Sequence, residues 1–169
     1  MLKKPILTKK KRHLDKRGFF QEIFLLKEFN IKIIFSAVAH SKKRVIRGLH
    51  FQTIKKQTKI INVIKGQILD VAVNLNKKSK NFGKVYKYIL NEGDSLIVPN
   101  NFAHGYECLS QKCIILYHLD NYRNIKGENG ISYNDKDLNI KWVTKKPIIS
   151  KRDKTINSFS EFKKKIKTL

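Results

Sequence analysis

The sequence predicts an all-β jelly roll, and three observations carry that prediction. From Val45 to Leu119, runs rich in Val, Ile, Tyr and Phe follow one another at strand length. The separators are turn formers: Gly66, the stretch Asn76 to Gly83, Asn91-Glu92-Gly93-Asp94 and Pro99-Asn100-Asn101. Helical spacing is confined to the tail, about Ser158 to Lys167, where Phe159, Phe162 and Ile166 recur at helical intervals. With 169 residues and 41% hydrophobic content, the chain is long enough for one domain with a sizeable core. One domain over 1–169 is therefore expected, with a basic N-terminal segment 1–14 and a helical tail at about 154–169.

In chain order, residues 1–16 are basic and weakly patterned, and Gly18-Phe19-Phe20-Gln21-Glu22-Ile23-Phe24 gives a short strand signal. Residues 25–35 fit helix and strand equally well. Strands are then predicted at 45–52, 59–65, 67–75, 84–90, 95–98, 105–109 and 112–119, spaced as in a sandwich or jelly roll. Any helices should be short and peripheral.

Thirty-seven basic against thirteen acidic residues leave a net charge of +24, which raises nucleic acid or an anionic surface as a partner. The lysines are strewn through nearly every segment and cluster only at the ends, as Lys9 to Arg12 and Lys163 to Lys167. That distribution suits a solvated surface or a lysine-biased composition as well as a binding patch, and neither nucleic acid nor membrane is the expected partner. Cys108 and Cys113 stand in apolar surroundings and read as small buried thiols. No signal-peptide core and no run of membrane-span length is present, so a soluble cytoplasmic protein is expected.

The chemically unusual stretch is Arg47-Gly48-Leu49-His50-Phe51-Gln52, which places an Arg, a His and a Gln between apolar flanks. Polar groups that enter a sheet core need partners or a task. Strict alternation puts His50 and Gln52 on one face and Arg47 on the other, unless Gly48 hosts a bulge that turns both to one side. Lys59, in the next strand, can look into the same interior, and Tyr117 sits in the apolar run Cys113 to Leu119. A base, a cation and a phenol in one β-cavity suit proton removal beside a carbonyl. His50 would take the proton, Lys59 would stabilise the enolate oxygen, and Tyr117 would return a proton from the opposite face. The plain alternative is a core histidine satisfied by a neighbour.

The spacing of Gly93, Pro99 and His104 resembles the second cupin motif, with Asn101 at the inner glycine position. Metal-binding cupins take further ligands from a His-x-His pair and a following Glu. Here the pair reads His50-Phe51-Gln52, with no Glu before Gly66, so a double-stranded β-helix without a metal is predicted. His104 is either a site residue or a turn histidine that bonds backbone.

Longer blocks carry a closer resemblance. Asp15 to Glu22, Val45 to Gln52, Gly66 to Leu75, Phe82-Gly83-Lys84 and Val98 to Tyr106 are similar, in order, to the dTDP-4-dehydrorhamnose 3,5-epimerase family. The likeness continues through Leu116-Tyr117, Gly130 to Asp135 and Ile140-Lys141-Trp142 to Ile149-Ser150-Lys151-Arg152-Asp153. It implies a cupin-type jelly roll that works without metal or cofactor, as a homodimer, and inverts C3 and C5 of a dTDP-4-keto-6-deoxyhexose.

By position, the resemblance gives His50 as base, Asp153 as the carboxylate that orients it, Lys59 at the enolate and Tyr117 as the acid. Arg47 matches an arginine that faces the substrate and its diphosphate. Gln52, His104 and Glu128 fall near the substrate, and Arg17, Phe20 and Glu22 in a segment that reaches the neighbouring subunit's nucleotide. The chain departs from the family pattern at Phe35, Ala37 and Ala39, where Gln, Asn and Ser are usual, and at Thr58, His118 and Arg123.

Overall fold

A computed structural model of the chain describes residues 2–23 and 31–167. The described residues form twelve strands: β1 Ile6–Lys9, β2 Arg12–Asp15, β3 Gly18–Gln21, β4 Phe35–Lys42, β5 Ile46–Gln52 and β6 Lys59–Lys65, then β7 Gln67–Asn74, β8 Val85–Asn91, β9 Asp94–Val98, β10 Phe102–Cys108, β11 Lys112–Leu119 and β12 Glu128–Gly130. Two short helices follow, α1 Lys151–Lys154 and α2 Phe159–Lys167.

One sheet runs β1-β9-β6-β11-β4 and the other β12-β5-β10-β7-β8, while β2 and β3 form a separate hairpin. Every pairing within these sheets is antiparallel. This is the predicted jelly roll with short peripheral helices.

The faces of β7 and β10 explain why the middle of the sequence reads as unbroken apolar runs. On the inner face Ile68, Ala72, Phe102, Tyr106 and Cys108 join Ile61, Leu96, Cys113 and Ile115 of the opposite sheet in the inter-sheet core. On the outer face Leu69, Val71, Val73 and Ala103 pack with Leu49, Phe51, Ile131, Leu138 and Phe159. A sheet covered on both sides needs apolar residues at both parities. Both cysteines are buried and free.

Four strands lie outside the predictions, among them the short β12, Glu128–Gly130, which pairs with β5. β1 and β2 fall in the basic segment read as weakly patterned, and β4 spans Phe35–Lys42, where no strand was expected. β4 is the edge of its sheet, and its Phe-Ser-Ala-Val-Ala-His-Ser-Lys sequence has only partly buried or exposed side chains as far as His40, so the apolar signal is weak. The ambiguity over 25–35 lies mostly outside the described residues. The C-terminal helix begins at Phe159 as its spacing predicts. A second helix, α1, is a capped turn too short for periodicity to reveal, closed by Ser150, whose hydroxyl accepts the Asp153 N–H at 3.0 Å. Among the described residues, no helix is long and apolar enough to cross a membrane.

Candidate active site

The two sheets enclose a cavity of about 650 Å³ whose lining includes Arg47, His50, Lys59, His104, Tyr117 and Asp153. Arg47 and His50 reach it together because β5 carries one residue too many. Against β10, His50 pairs with His104 but Arg47 pairs with Tyr106, so three steps on β5 oppose two on β10. Gly48 is at this bulge with φ +121°, in the left-handed region. A Cβ there would lie 2.6 Å from Gly105 Cα and 2.8 Å from the His104 carbonyl oxygen. Glycine is required on both counts. The bulge that sequence left open is real, and strict alternation fails at this point.

The same bulge frees a backbone donor. Gly48 N–H donates to Asp153 Oδ2 at 3.2 Å, while His50 Nε2 lies 2.8 Å from Asp153 Oδ1. The carboxyl is buried and the imidazole is about one-third exposed, at 34%. Burial pushes the Asp153 pKa up, but bonds from His50, Gly48 N–H and Ser150, with the His50 charge, outweigh it and hold the group below its ordinary value. An ionised carboxylate at Nε2 fixes that nitrogen as the N–H. The lone pair of the neutral ring is then on Nδ1.

Lys59 Nζ donates to the His50 carbonyl oxygen at 2.9 Å. Burial lowers its pKa to about 8, opposed by the charges of Asp70 and Glu128, so the ammonium form persists at neutral pH. The Tyr117 hydroxyl makes no hydrogen bond to the described protein, and its ring meets His104 edge-on at 6.3 Å between centroids. Burial, followed by the charges of Tyr106 and Asp70, raises its pKa well above the ordinary value, which keeps the phenol protonated.

His104 is no turn histidine. It lies within β10, buried, with Nε2 2.8 Å from Asp70 Oδ2. Asp70 is fully buried, and its Oδ1 has no donor among the described residues. Sequence reading passed over Asp70, although a carboxylate inside the run Ile68 to Val73 was the available signal. A second His–Asp pair is therefore present, with His104 lining the cavity and Asp70 buried behind it.

Arg47 is held by the backbone and hydroxyls around it. Its Nε donates to Ser41 Oγ at 3.0 Å and its Nη2 to the His40 carbonyl at 3.1 Å, and Ser41 Oγ is 2.8 Å from Tyr106 Oη. Burial pushes the Tyr106 pKa up to about 12, so that hydroxyl stays neutral. Glu128 lies at the cavity rim as a junction. Arg123 forks onto it at 3.1 and 2.8 Å, and Arg152 Nη1 approaches at 3.1 Å.

Gln52 also lines the cavity, but its amide is committed to backbone. Nε2 donates to Lys55 and Tyr122 carbonyls at 2.7 and 3.3 Å, and Oε1 accepts from Asn124 N–H at 2.7 Å. These bonds brace the loops around it and hold the side chain at the cavity wall. Arg17, Phe20 and Glu22 are not brought to this cavity within the chain. They lie on or just after the exposed β2–β3 hairpin, where Arg17 pairs with Asp15 at 2.6 Å.

A jelly roll whose cavity holds a His–carboxylate pair, an ammonium and an unbonded phenol is laid out for proton transfer at carbon, the work of an isomerase. The family described as dTDP-4-dehydrorhamnose 3,5-epimerase matches residues 1–161. A protein of that name from Shigella flexneri is 37% identical over 148 residues, covering 82% of each chain. The solved dTDP-4-dehydrorhamnose 3,5-epimerase of Sulfolobus tokodaii superposes with a TM-score of 0.87 at 41% identity, over 93% of this chain and 91% of that one. A Legionella pneumophila dTDP-6-deoxy-D-glucose-3,5-epimerase, solved with dTDP-4-keto-L-rhamnose, gives a TM-score of 0.88 at 29% identity, over 92% and 88%. The chain belongs to the dTDP-4-dehydrorhamnose 3,5-epimerase family.

Proposed function

We propose that the chain epimerises dTDP-4-dehydro-6-deoxy-D-glucose at C3 and C5 to dTDP-4-dehydro-L-rhamnose. The observation that carries this reading is the contact of His50 with buried Asp153 in a cavity shared with Lys59 and Tyr117. His50 Nδ1 takes the proton from the carbon beside the ketone, and the C–H electron pair moves onto the C4 oxygen. Lys59 holds that developing enolate oxygen, an electrostatic task for a fixed cation in a sheltered site. Tyr117 then gives its proton to the opposite face of the same carbon, inverting it. His50 releases its proton to solvent and the phenolate recovers one, after which the cycle repeats at the second carbon.

Arg47 suits the diphosphate, with Arg152 and Arg123 at the rim adding positive charge. No step requires a metal or cofactor. The exposed Phe19, Phe20 and Leu14 of the β2–β3 hairpin support a homodimer in which Arg17, Phe20 and Glu22 complete the neighbour's site. A cytoplasmic setting fits two buried thiols left free.

The test is product formation. Incubation of the purified protein with dTDP-4-dehydro-6-deoxy-D-glucose should yield the L-rhamno product by proton NMR. Recovery of unchanged substrate, or of a product inverted at one carbon only, would contradict the reading.

A further inference from the structure

Behind the cavity lies a buried carboxyl that the proton transfers leave unused. Asp70 stands on β7 two residues from Ile68 and from Ala72, both in the inter-sheet core, and is directly opposite Tyr106 of β10 and Tyr88 of β8. Residues of one parity and their opposed partners share a face, so the carboxyl enters the space between the sheets. It is fully buried. Oδ2 lies 2.8 Å from His104 Nε2, and Oδ1 has no donor among the described residues. A carboxylate taken out of water and given a single donor is costly unless a cation or a task offsets it.

The other carboxylates of the site are already matched. Asp153 accepts from Gly48 N–H and meets His50, and Glu128 carries Arg123 and Arg152. Lys59, the lysine of the cavity lining, has the reverse problem: its hydrogen bond goes to the His50 carbonyl, and no carboxylate is within ion-pair distance among the described residues. The remaining titratable groups of that lining are Arg47 and His50 of β5, His104 and Tyr106 of β10, and Tyr117 of β11, while β4 and β9 add none.

His104 links the buried carboxyl to this set. It stands opposite His50, whose carbonyl holds Lys59, and its ring meets that of Tyr117 edge-on. With Nε2 as the N–H, a neutral His104 leaves the pair with the carboxylate's negative charge. That charge favours the ammonium of Lys59, against the burial that lowers its pKa to about 8, and adds to the burial that raises the Tyr117 pKa.

We propose that Asp70 is a positioning residue of the proton-transfer site, a buried counter-charge seated on His104 that holds Lys59 as an ammonium and Tyr117 as a phenol. The inference rests on the roles given to Lys59 and Tyr117 in the proposed epimerisation.

The experiment records kcat against pH on dTDP-4-keto-6-deoxyglucose for wild type, Asp70→Asn and Asp70→Glu, and for Asp70→Asn on a Lys59→Arg background. Asp70→Asn is expected to move the alkaline limb down by about one pH unit, so that its kcat falls about tenfold further behind wild type on that limb than at acid pH. Asp70→Glu keeps the charge and should return the limb toward its wild-type place. The Lys59→Arg cation does not titrate, so on that background no limb is expected with or without Asp70. Asp70→Ser replaces the asparagine variant should that one not fold. A limb unmoved by loss of the carboxylate, a kcat lowered by one factor at every pH, or a limb that moves equally on the Lys59→Arg background overturns the inference and leaves the epimerase reading standing. No turnover by wild type at any pH overturns both.

Discussion

The side-chain nitrogen of Lys59 donates to the main-chain carbonyl of His50 at 2.9 Å, which places a cation against the strand that carries the base. The proposed base and the cation proposed to hold the enolate are therefore positioned by one backbone segment. The arrangement constrains how the activity must respond to pH.

Lys59 has a folded pKa of about 8, below its ordinary 10.5. The ammonium proposed to stabilise the enolate is present below that value and is lost as pH rises through it, so kcat should fall above about pH 8. Lys59→Arg stays charged, and its surviving activity should lack this limb. An unchanged alkaline limb in the arginine variant would assign it to another group.

Asp153→Asn keeps the shape of the side chain but removes the negative charge that lies 2.8 Å from His50 Nε2. A loss of roughly 10² to 10⁴ in kcat is expected, with little change in KM. Steady-state kinetics on the 4-keto sugar check this, and a rise in KM at constant kcat would make Asp153 a binding group.

The Gly48→Ala methyl would meet Gly105 Cα at 2.6 Å and occupy a backbone conformation that favours glycine. The bulge must then relax, which moves the Gly48 N–H from Asp153 and turns His50. A destabilisation on the order of 2 kcal/mol or more is expected, together with loss of most activity, measured by denaturant unfolding and turnover on the same preparation. Full activity would show that His50 is oriented without the bulge.

Tyr117→Phe deletes only the hydroxyl, which makes no hydrogen bond to the described protein, so stability should change little. Proton exchange with solvent should survive better than inversion, because the base side still works. Equal loss of both would remove Tyr117 as the opposite-face acid.

Much of this was legible in sequence, and for identifiable reasons. The strands from Ile46 to Leu119 announce themselves because β7 and β10 are covered on both faces, which forces apolar residues at nearly every position. His50, Lys59 and Tyr117 stand out as polar groups in such runs. β4 and α1 do not, since an edge strand with one open face and a single capped turn need no periodic apolar residues. Asp70 was hidden for a different reason: its partner His104 is distant in sequence and meets it only through the β7–β10 register. The direction of Arg47 depended on one extra residue at Gly48, and a period-two rule cannot register an insertion.

The central claim is that His50 removes the protons at both carbons. NMR of dTDP-4-keto-6-deoxyglucose in deuterated water tests it most directly, comparing wild type with His50→Ala. Deuterium entering C3 and C5 with wild type and neither carbon with His50→Ala is the predicted result. Exchange at either carbon with the variant at the wild-type rate would contradict it.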